Sequence, residues 1–379
     1  MTVTIGYDAT AAVHQGAGIG RYARQLLEAL ARRDDDFRYR VVYCGPGARA
    51  GGLPALDRRF RRRAIPASDR VMNAIWHRLR LPLPVQLFAG RFDLFHSPDF
   101  TLPPDLGKPT VLTVHDLAFL TVPECSYPTL QAYLAATVPR SVESATHVIA
   151  VSESTRCDLI SHLGVAPERV TTVLEGVSPG FRPVEDRAAA ERALAAAGVR
   201  LPYILSVGTL EPRKNYVRLL EAYAAARREG LSSGLVIAGR PGWLYEPILR
   251  RIDELGLSSA VTVLQPPDGL LPALYSFAEL FVYPSLYEGF GLPPLEALAC
   301  GAPVACSEAS SMPEVVGDAA LLFDPTDTMA ITAAMLRLTT DQDLRRRMAS
   351  RGPARAAALT WEAAAARTVA LYRSVVARA

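Results

Sequence analysis

An alternation constrains this 379-residue chain more than any other feature. Short apolar, β-branched runs at 3–7, 39–43, 94–96, 110–114, 147–151 and 170–173 are separated by stretches with helical spacing, such as 21–33 and 130–144. A second series follows at 203–207, 234–238, 260–264, 280–283, 303–306 and 320–323, with helical stretches at 216–229, 271–278 and 295–299. Strands that alternate with helices form βαβ units and therefore parallel sheets covered on both faces. The expected fold class is α/β, with two doubly wound, Rossmann-like domains. Length agrees, because one hydrophobic core rarely grows past about 250–300 residues.

Residues 176–202 separate the two series. They hold Pro179, Gly180, Pro183 and Pro202 around a helical stretch rich in Ala, Glu and Arg. The expected domains are 1–180 and 200–358, with a tail helix over 359–379 that packs back on the N-terminal domain through Trp361, Leu371 and Tyr372. The carboxyl ends of both strand sets are expected to face a deep cleft, where ligands of such sheets bind.

Composition removes several classes. A formal net charge of +3 is too small to imply a nucleic-acid partner. The five cysteines, Cys44, Cys125, Cys157, Cys300 and Cys306, are not spaced as metal or disulfide frameworks and favour a reducing compartment. The first residues read at once as a strand, without a signal-peptide pattern, and no run of about 18 apolar residues exists. A cytoplasmic protein is expected.

The most informative segment runs from Pro284 to Ala297. Glu288 and Glu296 flank Gly289, Phe290, Gly291, Leu292, Pro293 and Pro294, between a strand and a helix. Glycines let backbone approach a ligand, and a helix N-terminus attracts an anion. The two carboxylates suit the hydroxyls of a sugar or ribose. A second cluster, Gly208-Thr209-Leu210-Glu211-Pro212-Arg213-Lys214-Asn215, follows the first strand of the second series. Two adjacent cations at that place suit a diphosphate; the plain alternative is a solvated basic turn.

Weaker signals lie in the first half. Gly16-Ala17-Gly18-Ile19-Gly20 opens a helix, either as an ordinary turn or as a phosphate loop. No acidic residue ends the second strand, which disfavours NAD. His115-Asp116 ends a strand, as a cleft pair or as a structural His beside a capping Asp. The segments 96–99 and 123–127 are expected to be cleft loops on the acceptor side. Asp34-Asp35-Asp36 reads as a solvated turn, and no metal or other cofactor is expected to be required. The basic run Arg58–Arg63 and the stretch 76–82 read either as solvated loops or as contacts to an anionic membrane face or a phosphorylated acceptor.

The Glu288–Glu296 spacing, the Arg213-Lys214 pair and the strand 234–239 together resemble retaining glycosyltransferases of family 4, which have the GT-B fold. The sub-pattern is similar to bacterial mannosyltransferases and rhamnosyltransferases of O-antigen assembly. The resemblance implies a nucleotide-sugar donor, with GDP-mannose first, and a glycan or lipid-linked acceptor. It implies that Arg213 and Lys214 neutralise the diphosphate and that Glu288 binds the transferred sugar. Glu296 would bind the ribose, with Gly208, Thr209 and Gly289–Leu292 around the donor. Gly18 would approach the phosphates and His115 the sugar. The chain departs from the family at Glu175-Gly176, where Asn-Gly is common, and at Leu264-Gln265-Pro266-Pro267, where a Gly is common. A 2-epimerase of the same fold and a non-catalytic nucleotide-sugar-binding protein are the alternatives.

Overall fold

The computed structural model describes residues 2–16, 18–45, 53–105 and 107–379. Ala17 of the glycine-rich turn and Met1 lie outside the described residues. The chain divides into two compact units: 1–117 with 129–176 and 361–379, and 118–128 with 177–360.

The first unit is built on a seven-stranded sheet: β1 (Thr4–Asp8), β2 (Arg38–Cys44), β3 (Phe60–Ile65), β4 (Leu94–Ser97), β5 (Thr110–Val114), β6 (His147–Ala150) and β7 (Val170–Thr172). The order is β3-β2-β1-β4-β5-β6-β7, and every pairing is parallel. β4, β5 and β6 are buried at every residue, as strands covered on both faces should be. The helix Gly18–Arg32 turns Tyr22, Ala23, Leu26, Leu27 and Leu30 inward, the 3.6-residue spacing of an amphipathic helix. The helix Trp361–Arg378 packs on it, with the Trp361 ring centroid 5.7 Å from that of Tyr22.

Three expectations for this unit need correction. Arg58–Arg63 is not a loop: Phe60–Ile65 forms the edge strand β3. Phe60 stacks on Tyr39 at 4.3 Å and Ile65 is buried, while Arg61, Arg62 and Arg63 point outward. A charged edge resists pairing with other chains. Asp35 is not solvated; its side chain is 1% exposed, pairs with Arg59 at 3.0 Å and accepts from the Tyr39 hydroxyl at 3.0 Å. His96 closes the expected strand run 94–96 and lies within β4, which continues to Ser97, so the expected loop 96–99 begins only at Pro98. His96 is fully buried, with Nδ1 2.5 Å from the Tyr372 hydroxyl and Nε2 2.9 Å from that of Thr113. Burial, with a push from His115, lowers its pKa to about 3, so it is a neutral core residue.

The second unit carries β8 (Tyr203–Val207), β9 (Gly234–Ala238), β10 (Val261–Leu264), β11 (Leu280–Tyr283), β12 (Val304–Ser307) and β13 (Ala320–Phe323). Their order is β10-β9-β8-β11-β12-β13, again all parallel. Leu219, Leu220 and Tyr223 of the helix Tyr216–Arg228 share a core with Ile331, Met335 and the strand residues Ile204 and Val282. The helix Leu292–Ala299 is buried from Pro294 to its end. The helix Gln342–Ala357 crosses it at Gly352, where a Cβ would stand 2.8 Å from the Leu298 carbonyl oxygen.

Both sheets reverse their strand order once, between β1 and β4 and between β8 and β11. Connections depart to opposite faces at such a point, and the loops at the carboxyl ends part to leave a crevice.

Candidate active site

The loops after β8 and β11 meet at the second unit's switch point. β8 ends at Val207, and Pro212–Lys214 forms a single helical turn closed by Asn215 in the left-handed conformation, φ 60°. The Asn215 amide donates to the carbonyls of Pro284 (3.0 Å) and Pro325 (2.8 Å), which locks this turn to the loops after β11 and β13. Leu286 N and Ser285 Oγ both donate to the Arg213 carbonyl, at 2.9 and 3.1 Å. The turn that carries the two cations is therefore fixed by the loop that carries Glu288.

Glu288 is 7% exposed and accepts from four side chains. Arg213 Nη1 lies 3.0 Å from its Oε2. Lys214 Nζ (2.5 Å), Tyr283 Oη (2.9 Å) and Ser285 Oγ (2.6 Å) converge on Oε1. Burial works against the carboxylate, but Arg213, Lys214 and the hydrogen bonds prevail and pull its pKa down to about 2. Arg213 also pairs with Glu211 at 2.9 Å, so two cations face two carboxylates and the cluster is balanced in charge. Each cation can exchange a carboxylate oxygen for a phosphate oxygen, a like-for-like swap for a guanidinium fork and an ammonium.

The glycines around the cluster have different reasons to be glycine. Gly291 takes φ 115°, and a Cβ there would stand 2.2 Å from Met312 Cε. Gly208 accepts from the Tyr216 hydroxyl at 3.0 Å, and its carbonyl oxygen would be 1.9 Å from a Cβ on Gly239. Thr209 sits half-buried beside it, and Gly289 and Phe290 are buried. Ser311 Oγ donates to the carbonyls of Glu288 and Phe290, at 3.0 and 2.6 Å, and Glu288 N donates to Ser310 Oγ at 2.8 Å. Leu292 opens the helix whose N-terminus faces this loop.

Glu296 lies on that helix, 2% exposed, and accepts from the Tyr275 hydroxyl at 3.0 Å. A ladder of rings joins the two acidic positions: Tyr275 meets Phe281 at 5.4 Å, and Phe281 stacks on Tyr283 at 5.9 Å, the residue bonded to Glu288. Arg213, Lys214 and Glu288 thus form one bonded cluster, and Glu296 is tied to it through the aromatic core.

In the first unit His115 follows β5, 8% exposed, wedged against Tyr22 (4.7 Å) and Phe100 (5.5 Å). Its Nε2 lies 2.9 Å from the Pro98 carbonyl and its Nδ1 3.6 Å from Glu175. Burial opposes a charged ring, yet Glu175, the Pro98 carbonyl and Asp99 together raise its pKa above the ordinary histidine value. Gly18 is exposed at the start of its helix, and nothing lies within 4 Å of where its Cβ would be.

Sequence reasoning missed several partners. Tyr283 and Ser285 flank the acidic motif but carry no signal of their own. Glu175 stood out only as a departure from the family pattern, and the structure makes it the partner of His115. Trp76, in a stretch read as a loop or charged surface, is buried, with its ring N–H donating to the Leu83 carbonyl at 2.8 Å. Among the described residues, no group of three or more His, Cys, Asp and Glu is placed to hold a metal ion. Among the same residues, no helix is long and apolar enough to cross a membrane.

Two parallel doubly wound sheets, the second with a buried Arg-Lys-Glu cluster at its switch point, define a GT-B glycosyltransferase. Residues 16–181 match the model of Glycosyltransferase Family 4 and residues 191–355 that of Glycosyl transferases group 1. The chain is 36% identical over 285 residues to the O-antigen chain mannosyltransferase B of Escherichia coli, covering 74% of each chain. It is 32% identical to a D-inositol 3-phosphate glycosyltransferase of Thermobispora bispora, over 76% of this chain and 72% of that one. Among solved structures, Anabaena HepE in complex with UDP and glucose superposes with a TM-score of 0.76 at 16% identity, covering 98% and 100% of the two chains. The chain belongs to the family 4 glycosyltransferases.

Proposed function

We propose that the enzyme moves a hexose from a nucleoside diphosphate sugar to a hydroxyl of a glycan or lipid-linked acceptor, with retention at the anomeric carbon. Mannose from GDP-mannose is the first candidate, a choice supported by the mannosyltransferase relative. The observation that carries the reading is the Arg213–Glu288–Lys214 cluster at the β8/β11 switch point. The bond between the anomeric carbon and the β-phosphate oxygen breaks first, to an oxocarbenium-like state, and the acceptor oxygen then bonds to that carbon on the face the phosphate leaves. Negative charge builds on the leaving diphosphate, and Arg213 and Lys214 stabilise it where water is excluded. The acceptor proton passes to the departing phosphate. Glu288, freed of a cation by the donor, accepts hydroxyls of the sugar, and Glu296 accepts those of the ribose. Gly208, Thr209 and Gly289–Leu292 line the donor, and Gly18 and His115 serve the same reaction.

The same cations take the part that a divalent ion would otherwise play, so turnover proceeds without a metal. The enzyme works in the cytoplasm, and the outward face of Arg61–Arg63 is available to an anionic membrane. A 2-epimerase of the same fold would release an isomer of the donor and form no glycoside, so product analysis separates the two readings. A thermal-shift panel of GDP-mannose, GDP-rhamnose, UDP-glucose, UDP-GlcNAc and dTDP-rhamnose tests the donor. We expect the largest stabilisation from GDP-mannose, and no shift with GDP or GDP-mannose would remove that choice.

A further inference from the structure

The first unit has a hollow at its own switch point. It is a cavity of about 200 Å³ at the carboxyl ends of β1, β2 and β4. At about 30 Å³ per water it holds roughly six or seven waters, the space of one sugar ring. Its lining pairs carboxylates with aromatic surface: Asp8, Asp69 and Asp99 beside Trp76, Phe100 and Tyr133. The described lining residues also include His14, which faces Asp69, and His77, whose pKa burial lowers to about 4, and they include no lysine or arginine.

Burial raises the pKa of all three acids. Asp8 is raised to about 6, first by burial and then by Asp99 and Asp69, against the bonds from Thr10. Asp99 is raised as well, by burial and slightly by Asp69, against the pull of His115 and the bond from Gln15. Thr10 N donates to Asp8 Oδ1 (2.8 Å), Asn73 Nδ2 to Asp69 Oδ1 (3.0 Å) and Gln15 Nε2 to Asp99 Oδ2 (3.2 Å). A carboxylate offers about four lone-pair sites, so each retains capacity to accept from a hydroxyl. A sugar ring supplies what this lining asks for, with O–H donors around its rim and a C–H face for an aromatic ring. A phosphorylated ring would bring negative charge into a negative hollow, which costs several kcal/mol per close pair.

We propose that this cavity binds the terminal sugar of the acceptor as an uncharged, polyhydroxylated ring and rejects a phosphorylated one. The inference rests on the glycosyltransferase reading and names its acceptor class. Arg70 and Arg78 line an adjoining hollow that shares Asn73 and Tyr133 with this cavity, so a phosphate held there by the two arginines is the outcome that the proposal excludes.

The test is saturation-transfer NMR on the full chain with methyl glycosides of mannose, glucose and galactose, set against mannose 6-phosphate, glucose 6-phosphate and inositol 3-phosphate. We expect at least one neutral glycoside to bind, and its phosphorylated counterpart to bind at least about tenfold more weakly. Asp69→Asn, confirmed folded by circular dichroism, should weaken the neutral ligand about tenfold, and Asp69→Lys should reverse the preference. Failure of every neutral glycoside to bind overturns the proposal. So does a phosphorylated ring that binds as tightly as its neutral counterpart, or an Asp69→Asn protein with unchanged affinity. The nucleotide thermal shift reads the donor site by itself. A protein that shifts with a nucleotide sugar but prefers the phosphorylated ring refutes only the acceptor class, whereas one that no nucleotide sugar shifts refutes the underlying reading.

Discussion

The two switch points share a strand pattern and carry opposite chemistry. Between β8 and β11, Arg213 and Lys214 close on Glu288 and hold it ionised, with a pKa of about 2. Between β1 and β4, Asp8 lines a hollow with two more carboxylates and is pushed up to about 6. Burial opposes ionisation in both: paired cations overcome it at Glu288, whereas at Asp8 burial prevails and the nearby acids add a little to it. The topology fixes where a ligand can sit, and a few loop residues fix its charge. One unit is equipped to grip a diphosphate, and the other to hold hydroxyls.

The largest effect should come from the cationic side. Lys214→Ala should lower kcat by about 10²–10³, the size seen when one donor to a developing oxyanion is removed. Binding of a neutral acceptor glycoside should persist in that variant. Steady-state kinetics with a radiolabelled donor read the first number, and a full-rate Lys214→Ala enzyme would break the assignment of charge stabilisation to this unit.

A smaller, opposite pair of effects follows from the two acids. Glu288 has a folded pKa of about 2 against an ordinary 4.5, so its contribution is complete above 4.5 and is lost as pH falls toward 2. The loss amounts to about 3 kcal/mol. Asp8 runs the other way, from an ordinary 3.8 to about 6 when folded. Its contribution is complete below 3.8 and is lost as pH rises through 6. Water that enters the cavity reduces this to about 1–2 kcal/mol. Calorimetry from pH 2 to 8 should show Glu288→Gln flattening the acid limb of the second unit. Asp8→Asn should stabilise the first unit at pH 7. The same limb flattened by both substitutions would mean that the contrast between the two sites is not real.

The sheets were largely legible because buried parallel strands are near-continuous apolar runs, as 110–114 and 280–283 show. β3 was not, since an edge strand with three outward arginines has neither the run nor the alternation. At the candidate site, Glu288 was legible through its glycines and its spacing to Glu296. The bonding of Glu288 to Lys214 across 74 positions was not, because it arises only when β8 and β11 become neighbours. His96 and Asp35 were misread for the same reason: Tyr372 and Arg59, which hold them in place, are distant in sequence. Sequence reports local geometry well, whereas a polar residue's meaning depends on a partner that only the fold supplies.

The smallest expected effect separates a glycine kept for the fold from one kept for a ligand. Gly291→Ala must hold φ 115° and place its Cβ against Met312, so it should destabilise the second unit by about 1–3 kcal/mol. Gly18→Ala meets open space at the first position of a helix, so stability should change by less than about 0.5 kcal/mol. A rise of severalfold in the donor KM of Gly18→Ala, with an unchanged melting curve, would assign the missing side chain to the donor. An unchanged KM would take Gly18 out of the donor set and leave only Gly20, whose Cβ would strike the Gln15 carbonyl oxygen at 1.9 Å, as the glycine that this turn needs.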